Sequence, residues 1–152
     1  QAQLSRVYFD PTKYGTITAS SCAADGVVDA VKDGRRPASS ADTTLDAWIS
    51  SGDSDKEWIQ LVFDQPQAIE RLGLFWVSCD QVEVPADWTM EYLLDGSWHP
   101  FDKYITDVYG VSKDRFNTIH PAAELTCEGL RINIYAQAGK SVGLFDLELN
   151  LR

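Results

Sequence analysis

Apolar and polar residues alternate with a period of two in five separate segments of this chain. The apolar positions form five sets: Ile59, Leu61 and Phe63; Leu72, Leu74 and Trp76; Trp88, Met90, Tyr92 and Leu94; Leu130, Ile132 and Ile134; Phe145, Leu147, Leu149 and Leu151. This period is typical of strands with one buried face, and polar turns separate the sets. The pattern therefore predicts an all-β antiparallel sandwich or jelly roll.

The segments between these sets are short or polar. Residues 23–32 are the one stretch that suits a short helix, and residues 33–46, rich in Arg, Ser, Thr and Asp, are expected to form a long surface loop. Asp95 and Gly96 predict a tight hairpin turn, in which glycine supplies a positive φ. No strands and helices alternate, so a Rossmann or TIM-barrel architecture is excluded.

Length and charge narrow the classes of partner. The 152 residues suit one domain over residues 1–152, expected to be monomeric. The net charge of −10 repels phosphate backbones and anionic lipid headgroups, so nucleic acid is not an expected partner. No apolar run approaches the roughly 18 residues that span a bilayer, so membrane insertion is not expected. A neutral sugar or Ca²⁺ is compatible with this charge.

The motifs of catalysis do not fit. Residues 139–143 match the nucleophile pattern G-x-S-x-G, but that motif needs a strand before it, a helix after it and a later histidine. Here an expected strand follows, and both His99 and His120 lie upstream. We therefore expect a non-catalytic chain.

Cys22, Cys79 and Cys127 are an odd number of cysteines with no zinc-site spacing. Two interpretations stay open: buried thiols, or one disulfide plus one free thiol.

An ordered set of motifs gives the chain a family resemblance. TASS (18–21), VKDG (31–34), DAWISS (46–51) and EWIQLVFDQP (57–66) are followed by WTMEYLLDGSW (88–98), LRINI (130–134) and GKSVGLFDLEL (139–149). In this order the chain resembles the coagulation factor 5/8 type C, or discoidin, family, and its bacterial branch of family 32 carbohydrate-binding modules. The resemblance implies a galactose-binding-like β-sandwich of about eight strands.

A narrower likeness lies in VPADW (84–88), DGSW (95–98) and YGVSKDRFNTI (109–119). These resemble modules appended to bacterial hydrolases of plant polysaccharides, of the β-L-arabinofuranosidase and β-galactosidase types. The resemblance implies a carbohydrate partner, plant or host glycans containing galactose or arabinose. It also implies a parent catalytic domain in the same chain and a secreted or cell-surface location in a bacterium.

The resemblance further implies a structural Ca²⁺ site. The family positions correspond to the carboxylates of Asp33, Asp46 and Asp146, completed by the backbone carbonyls of Ala30, Arg35 and Phe145. The alternative is that Asp33 only caps its turn and that Asp146 is simply exposed.

The family's sugar site lies on the loop end away from the termini. The loops that correspond to it, here called the rim, are residues 21–29, 51–56, 78–87 and 136–142. Cys22 and Cys79 both fall on these loops, so the resemblance implies that they would be the pair if one disulfide forms. The candidate ligand-binding residues are Trp76, Tyr135, Arg131, Asp80, Gln81, Glu83 and Lys140. Trp76 shares its parity with Leu72 and Leu74, so core packing is its alternative role, whereas Tyr135 shares its face with Arg131.

Two functions of different classes follow. The first is a sugar-binding module. The second is a docking module that packs on its parent enzyme without binding sugar, favoured by the lack of an obvious exposed tryptophan or phenylalanine in the rim loops.

Overall fold

The chain forms eight strands in the computed structural model, which describes residues 15–151. Their bounds are β1 (Gly15–Ala19), β2 (Trp48–Ile49), β3 (Lys56–Trp76), β4 (Asp87–Leu94), β5 (Ser97–Pro100), β6 (Asn117–Ile119), β7 (Leu125–Tyr135) and β8 (Gly143–Leu151). All strand pairs are antiparallel. The predicted fold class is confirmed; residues 1–14 and 152 of the predicted single module lie outside the described residues.

β3 belongs to both layers of the sandwich. Its first part, Lys56 to Val62, pairs with β1 and β7, and β7 continues to β4 and β5. The ladder with β7 is interrupted between Val62 and Gln67. Beyond the interruption, β3 pairs with β8 and β6, and β8 pairs with β2. One long strand thus joins a five-stranded layer to a four-stranded layer.

The core lies between the inner faces of these layers. Trp48, Trp76 and Trp88 are fully buried in it, together with the predicted apolar positions of β3 and β7. Large buried aromatic rings each remove roughly 150–250 Å² from water. The period-two expectation is therefore confirmed for these strands.

β8 departs from the simple alternation. Phe75 pairs with Asp146 and Trp76 pairs with Leu144, so Phe145 is an extra residue in the ladder. Such a bulge shifts the alternation by one residue. Leu144 and Leu147 face the main core, whereas Phe145 packs on the outer side against Phe75 and Val77. The prediction that Phe145 shares the face of Leu147 is wrong for this reason.

The predicted turn and loop are present, and the helix is shorter than expected. Asp95 and Gly96 both have positive φ, 51° and 78°, between β4 and β5. Only Val28–Lys32 of the predicted helical stretch is helical, as a 3₁₀ turn. The loop after it is fastened by Ser40, which exchanges two hydrogen bonds with Asp114.

The connection between β5 and β6 packs against the core tryptophans. The indole nitrogens of Trp76 and Trp88 both donate to the carbonyl of Gly110, at 3.1 and 2.7 Å. Nearby, the buried Asn117 donates to the carbonyls of Leu74 and Ser112. Between residues 15 and 151 no helix has the length and apolarity to cross a membrane.

Candidate functional site

Trp76 cannot contact a ligand. Its side chain is fully buried, packs edge-on against Trp88 at 5.6 Å between ring centroids, and donates to Gly110. The prediction of Trp76 as a sugar-stacking residue is wrong, and its alternative role in the core is correct. The reason is parity, because Leu72, Leu74 and Trp76 all face the core.

Two rim loops are joined into one surface. Glu83 N donates to Ser141 O, and Ser141 N donates to Gln81 O, both at 3.0 Å. The Gln137 amide donates to the carbonyl of Val84 at 2.9 Å. These hydrogen bonds between the loops bring four predicted ligand-binding residues to one part of the rim: Asp80, Gln81, Glu83 and Lys140. Asp80 and Gln81 are exposed there, and Glu83 and Lys140 are half-buried.

Glu83 is a fixed negative charge within that surface. One of its carboxylate oxygens accepts from the Ser78 hydroxyl at 2.7 Å and from the Val84 amide at 3.0 Å. Lys113 Nζ lies 3.6 Å from the same oxygen. The Ser78 hydrogen bond is the largest cause that lowers the pKa of Glu83. The carboxylate is therefore held ionised in one orientation, as a hydrogen-bond acceptor must be to position a hydroxyl.

Below the rim lies a buried carboxylate that sequence reasoning missed. Glu57 is 4% exposed, and its Oε1 accepts from the hydroxyls of Ser20 and Ser21 at 2.5 and 2.8 Å. Its Oε2 has no hydrogen-bond partner. Ser21 also accepts from Ser51 N and, through its carbonyl, from the Trp48 indole. Glu57 thus ties the TASS segment to the start of β3.

Arg131 and Tyr135 lie on a different surface from the rim cluster. Both alternate with the buried Leu130, Ile132 and Ile134, so they face outward from the five-stranded layer. Tyr135 is 42% exposed at the top of β7, beside the rim. The structure therefore separates the seven predicted ligand-binding residues into a rim group, an outer sheet group and the buried Trp76.

Arg131 is held in a network on this outer sheet. Glu91 Oε1 accepts from Arg131 Nε and Nη2 at 3.1 and 3.0 Å and from the Asn133 amide at 2.9 Å. The guanidinium lies over the ring of Trp98, with 4.2 Å from Cζ to the ring centroid. The Asn133 hydrogen bond is the largest cause that lowers the pKa of Glu91, and Arg131 lowers it further.

The predicted metal site centres on Asp146. This side chain is 1% exposed, and its Oδ2 has no hydrogen-bond partner. Burial, followed by the charges of Glu148 and Asp33, raises the pKa of Asp146 to about 8. The alternative expectation of an exposed Asp146 is wrong. A buried carboxylate oxygen without a donor is suited to a cation.

The other predicted ligands fit only in part. Asp33 Oδ1 accepts from Arg35 N at 2.8 Å, the turn-capping role expected as an alternative. Among residues 15–151, no three acidic, histidine or cysteine side chains converge closely enough to hold an ion, so Asp46 does not join Asp33 and Asp146. A hard cation here would need backbone carbonyls beside these two carboxylates.

The three predicted backbone-carbonyl ligands are those of Ala30, Arg35 and Phe145. The carbonyl of Ala30 accepts from Asp33 N at 3.2 Å, which leaves a second lone pair. Phe145 is the bulged residue next to Asp146. Arg35 is exposed on the same loop as Asp33. Among the predicted ligands, the unpartnered Oδ2 of Asp146 and the neighbouring charge of Asp33 are therefore the features that suit a cation.

The three cysteines are free thiols. Cys127 is buried, and burial raises its pKa to about 11, so this thiol is unreactive. Cys22 is exposed and Cys79 is half-buried, and the disulfide alternative between them is not formed. The buried-thiol interpretation holds for Cys127 alone.

The sequence profile of the F5/8 type C domain family matches residues 16–144, most of the chain. The chain belongs to the F5/8 type C domain family. No curated protein matches this F5/8 type C domain.

Solved structures share its fold at low sequence identity. One is the family 32 carbohydrate-binding module of NanJ from C. perfringens in complex with galactose, with a TM-score of 0.73, 9% identity, and coverage of 93% of this chain and 96% of that one. A second is CpGH89CBM32-5 from Clostridium perfringens in complex with GalNAc-β-1,3-galactose. Its TM-score is 0.71 and its identity 12%, and the match covers 94% of this chain and 99% of that one. A third is chitosan-binding module 1 from the chitosanase/glucanase of Paenibacillus sp. IK-5. Its TM-score is 0.66 and its identity 18%, and the match covers 90% of this chain and 94% of that one. These likenesses confirm the sandwich fold.

Sequence reasoning missed the partners that orient the predicted residues. Glu91 and Asn133 fix Arg131, and Lys113 lies beside Glu83. Parity would have identified Glu91 and Asn133, because each alternates with buried residues in its strand. Nothing in the local sequence marks Lys113, which approaches Glu83 from a distant loop.

Proposed function

We propose that this domain is a non-catalytic carbohydrate-binding module of a secreted or cell-surface glycoside hydrolase. Its partners would be plant or host glycans that contain galactose or arabinose. The observation that carries the proposal is the fixed orientation of Glu83 in the rim. Two hydrogen bonds hold its carboxylate beside the exposed Gln81 and the half-buried Lys140. Preorganised carboxylate, amide and ammonium groups are the means by which proteins fix sugar hydroxyls.

The charge of the chain agrees with a neutral ligand. A net charge of −10 disfavours polyanions and leaves neutral polysaccharides as suitable partners. Such a module would act by raising the effective concentration of a tethered catalytic domain near its substrate. Weak affinity at a single site is sufficient for that role.

A structural Ca²⁺ is the second part of the proposal. Asp33, Asp146 and the carbonyls of Ala30, Arg35 and Phe145 would hold it, and the unpartnered Oδ2 of Asp146 supports the assignment. The ion would neutralise the buried carboxylate and fasten the loop after the 3₁₀ helix to β8.

Native gel electrophoresis with embedded polysaccharide tests the sugar-binding function. We expect retardation of the domain by at least one of arabinan, galactan and mucin, relative to a gel without polysaccharide. Lys140→Ala and Gln81→Ala would reduce it if the rim is the site. A domain that migrates identically in all these gels would contradict the proposal.

A docking module is the second candidate function, because one loop exposes apolar side chains. Ile105 is 88% exposed, Val108 is 70% exposed and Tyr104 is half exposed, all in the connection between β5 and β6. Clustered apolar exposure of this kind is typical of a contact surface. An absence of retardation in every gel would favour this candidate.

A further inference from the structure

We infer that the outer face of the five-stranded layer is a binding platform for an extended, neutral glycan chain, separate from the rim. This inference rests on the proposed carbohydrate-binding function and names a second surface and ligand shape for it. The platform is formed by the outward residues of four adjacent strands: Trp58 and Gln60 of β3, Arg131, Asn133 and Tyr135 of β7, Glu91 of β4, and Trp98 of β5.

Strand register places these side chains in neighbouring rows. Trp58 is opposite Asn133, which is opposite Thr89. Gln60 is opposite Arg131, which is opposite Glu91. Since neighbouring strands are about 4.8 Å apart and rows are about 6.7 Å apart, the diagonal from Trp58 to Trp98 is roughly 20 Å long. That length suits several linked sugar rings rather than one.

The aromatic residues of the platform are accessible to solvent. Trp58 and Trp98 are half-buried, and Tyr135 is 42% exposed, whereas the tryptophans of the core are closed to solvent. One side of Trp98 is covered by the Arg131 guanidinium. Trp58 and Tyr135 therefore offer the surfaces on which the apolar face of a sugar ring could pack.

The polar residues between the aromatic residues are already oriented. Glu91 Oε1 accepts from both Arg131 and Asn133, while Glu91 and Arg131 each remain partly exposed. The ion pair is thus formed before any ligand arrives, and its solvent-facing atoms can exchange water for sugar hydroxyls. Fixed charged groups of this type bind hydroxyls without a further ordering cost.

The charges on the platform balance, in contrast to the rest of the chain. Within the platform, Arg131 is opposite Glu91, and at its edge Lys56 and Asp87 lie on either side of Tyr135. The overall net charge is −10. A balanced surface on an acidic domain favours a neutral polymer over a charged one.

Affinity gels with variants of the two surfaces test the platform. In gels with arabinan, galactan or mucin, we expect Trp58→Ala and Asn133→Ala each to weaken retardation about tenfold in apparent affinity. Lys140→Ala and Gln81→Ala, run in parallel, report on the rim and not on the platform. Tyr104→Ala, an exposed aromatic residue on another loop, is the matched control for Tyr135→Ala, which we expect to weaken retardation.

Fluorescence provides a second measurement that does not depend on variants. A glycan on the platform should protect the half-buried Trp58 and Trp98 from acrylamide quenching, while the buried Trp48, Trp76 and Trp88 are protected in either state. If Trp58→Ala fails to fold, as judged by circular dichroism, Asn133→Ala and the quenching measurement still decide the question.

The outcomes separate the platform from the general function. Retardation that is lost in the platform variants supports the platform, with or without an additional rim effect. Retardation of the wild type that the platform variants retain overturns the platform and leaves the carbohydrate-binding function intact. A wild type that no polysaccharide retards overturns both.

Discussion

Glu57 is a carboxylate on the inner face of a strand that is otherwise apolar. Its position alternates with the outward Trp58 and Gln60, so the fold buries it together with Ile59. The hydroxyls of Ser20 and Ser21 compensate for part of its desolvation. Sequence parity places the residue, but only the folded structure brings the two serines to it.

Removing this carboxylate should destabilise the domain. We expect Glu57→Ala to lower the free energy of unfolding by about 2–4 kcal/mol, because truncation of this buried side chain leaves a space and the hydroxyls of Ser20 and Ser21 lose their acceptor. Glu57→Gln keeps an acceptor oxygen and should lose less than half of that. Urea unfolding at constant pH measures both. Equal losses in the two variants would contradict the assigned hydrogen bonds.

Asp146 predicts a pH dependence in the metal-free protein. Its folded pKa of about 8 lies above the ordinary value of 3.8, so the folded state binds the proton more tightly. In chelator, the protonated Asp146 contributes its full share to the free energy of unfolding below about pH 4. That share is lost as the pH rises through 8.

The variant Asp146→Asn removes this dependence. In chelator at pH 8 it should be more stable than the wild type by about 1–3 kcal/mol, since the amide carries no charge to bury. Asp64→Asn, at an exposed position of β3, is the matched control and should behave as the wild type. Parallel pH profiles for the wild type and Asp146→Asn would contradict the assignment.

At the scale of elements, the connection between β5 and β6 supplies hydrogen-bond acceptors to the core tryptophans. A single carbonyl, that of Gly110, accepts both buried indole N–H groups, and Asn117 holds the turn that follows. The loop therefore satisfies the only polar atoms of two core tryptophans.

The conformation of this connection requires a glycine at position 110. A Cβ added at Gly110 would lie 2.5 Å from Asn117 Oδ1, and Asn117 is fixed by several hydrogen bonds. We expect Gly110→Ala to lower stability by about 1–3 kcal/mol. Gly73→Ala, whose Cβ would meet side-chain atoms of Phe116 at 3.3 Å, is the matched control and should cost less. Thermal unfolding measures both, and an unchanged stability of Gly110→Ala would be the contrary result.

The bulge in β8 is the other element that decides a site. It turns Phe145 and Asp146 to the outer side in succession, which places the Asp146 carboxylate near Asp33 and Glu148. Regular alternation would have separated Phe145 from this surface. The proposed cation site therefore follows from one extra residue in a ladder.

At the scale of the whole molecule, Ca²⁺ would link the loop after the 3₁₀ helix to the sheet. We expect the ion to raise the melting temperature, with about 2.7 kcal/mol of stabilisation when free Ca²⁺ is about a hundred times its Kd. Calorimetry with Ca²⁺ and with chelator measures this. Asp33→Asn should reduce the difference. Identical melting temperatures in the two buffers would overturn the calcium assignment.

The sequence was sufficient for the fold class but not for every strand, since β1, β2 and β6 have no set among the five and two of the sets lie on the single strand β3. Period-two alternation predicted the strands around Ile59, Leu74, Met90 and Ile132, because burying one face of a strand requires an apolar residue at every second position. The Asp95-Gly96 turn followed from the positive φ that a tight hairpin needs. These are local constraints, and a local pattern records them.

The sites were only partly predictable. Asp80, Gln81, Glu83 and Lys140 remain predicted ligand-binding residues, and their loops do meet at the rim; core packing, the alternative for Trp76, is confirmed. It could not show that Arg131 would be paired with Glu91, or that Asp46 would remain apart from Asp146. Those relations join distant segments, and no local pattern encodes them.

The sequence by itself determined the inward faces of β3, β4 and β7, and hence the two-layer sandwich. The tertiary structure decided which outward residues meet: the laced rim loops, the Glu91–Arg131–Asn133 network with Trp98, and the buried Asp146 beside Asp33. The physical reason is that burial alternates along a single strand, whereas a binding surface depends on the register between strands and on the contacts between loops.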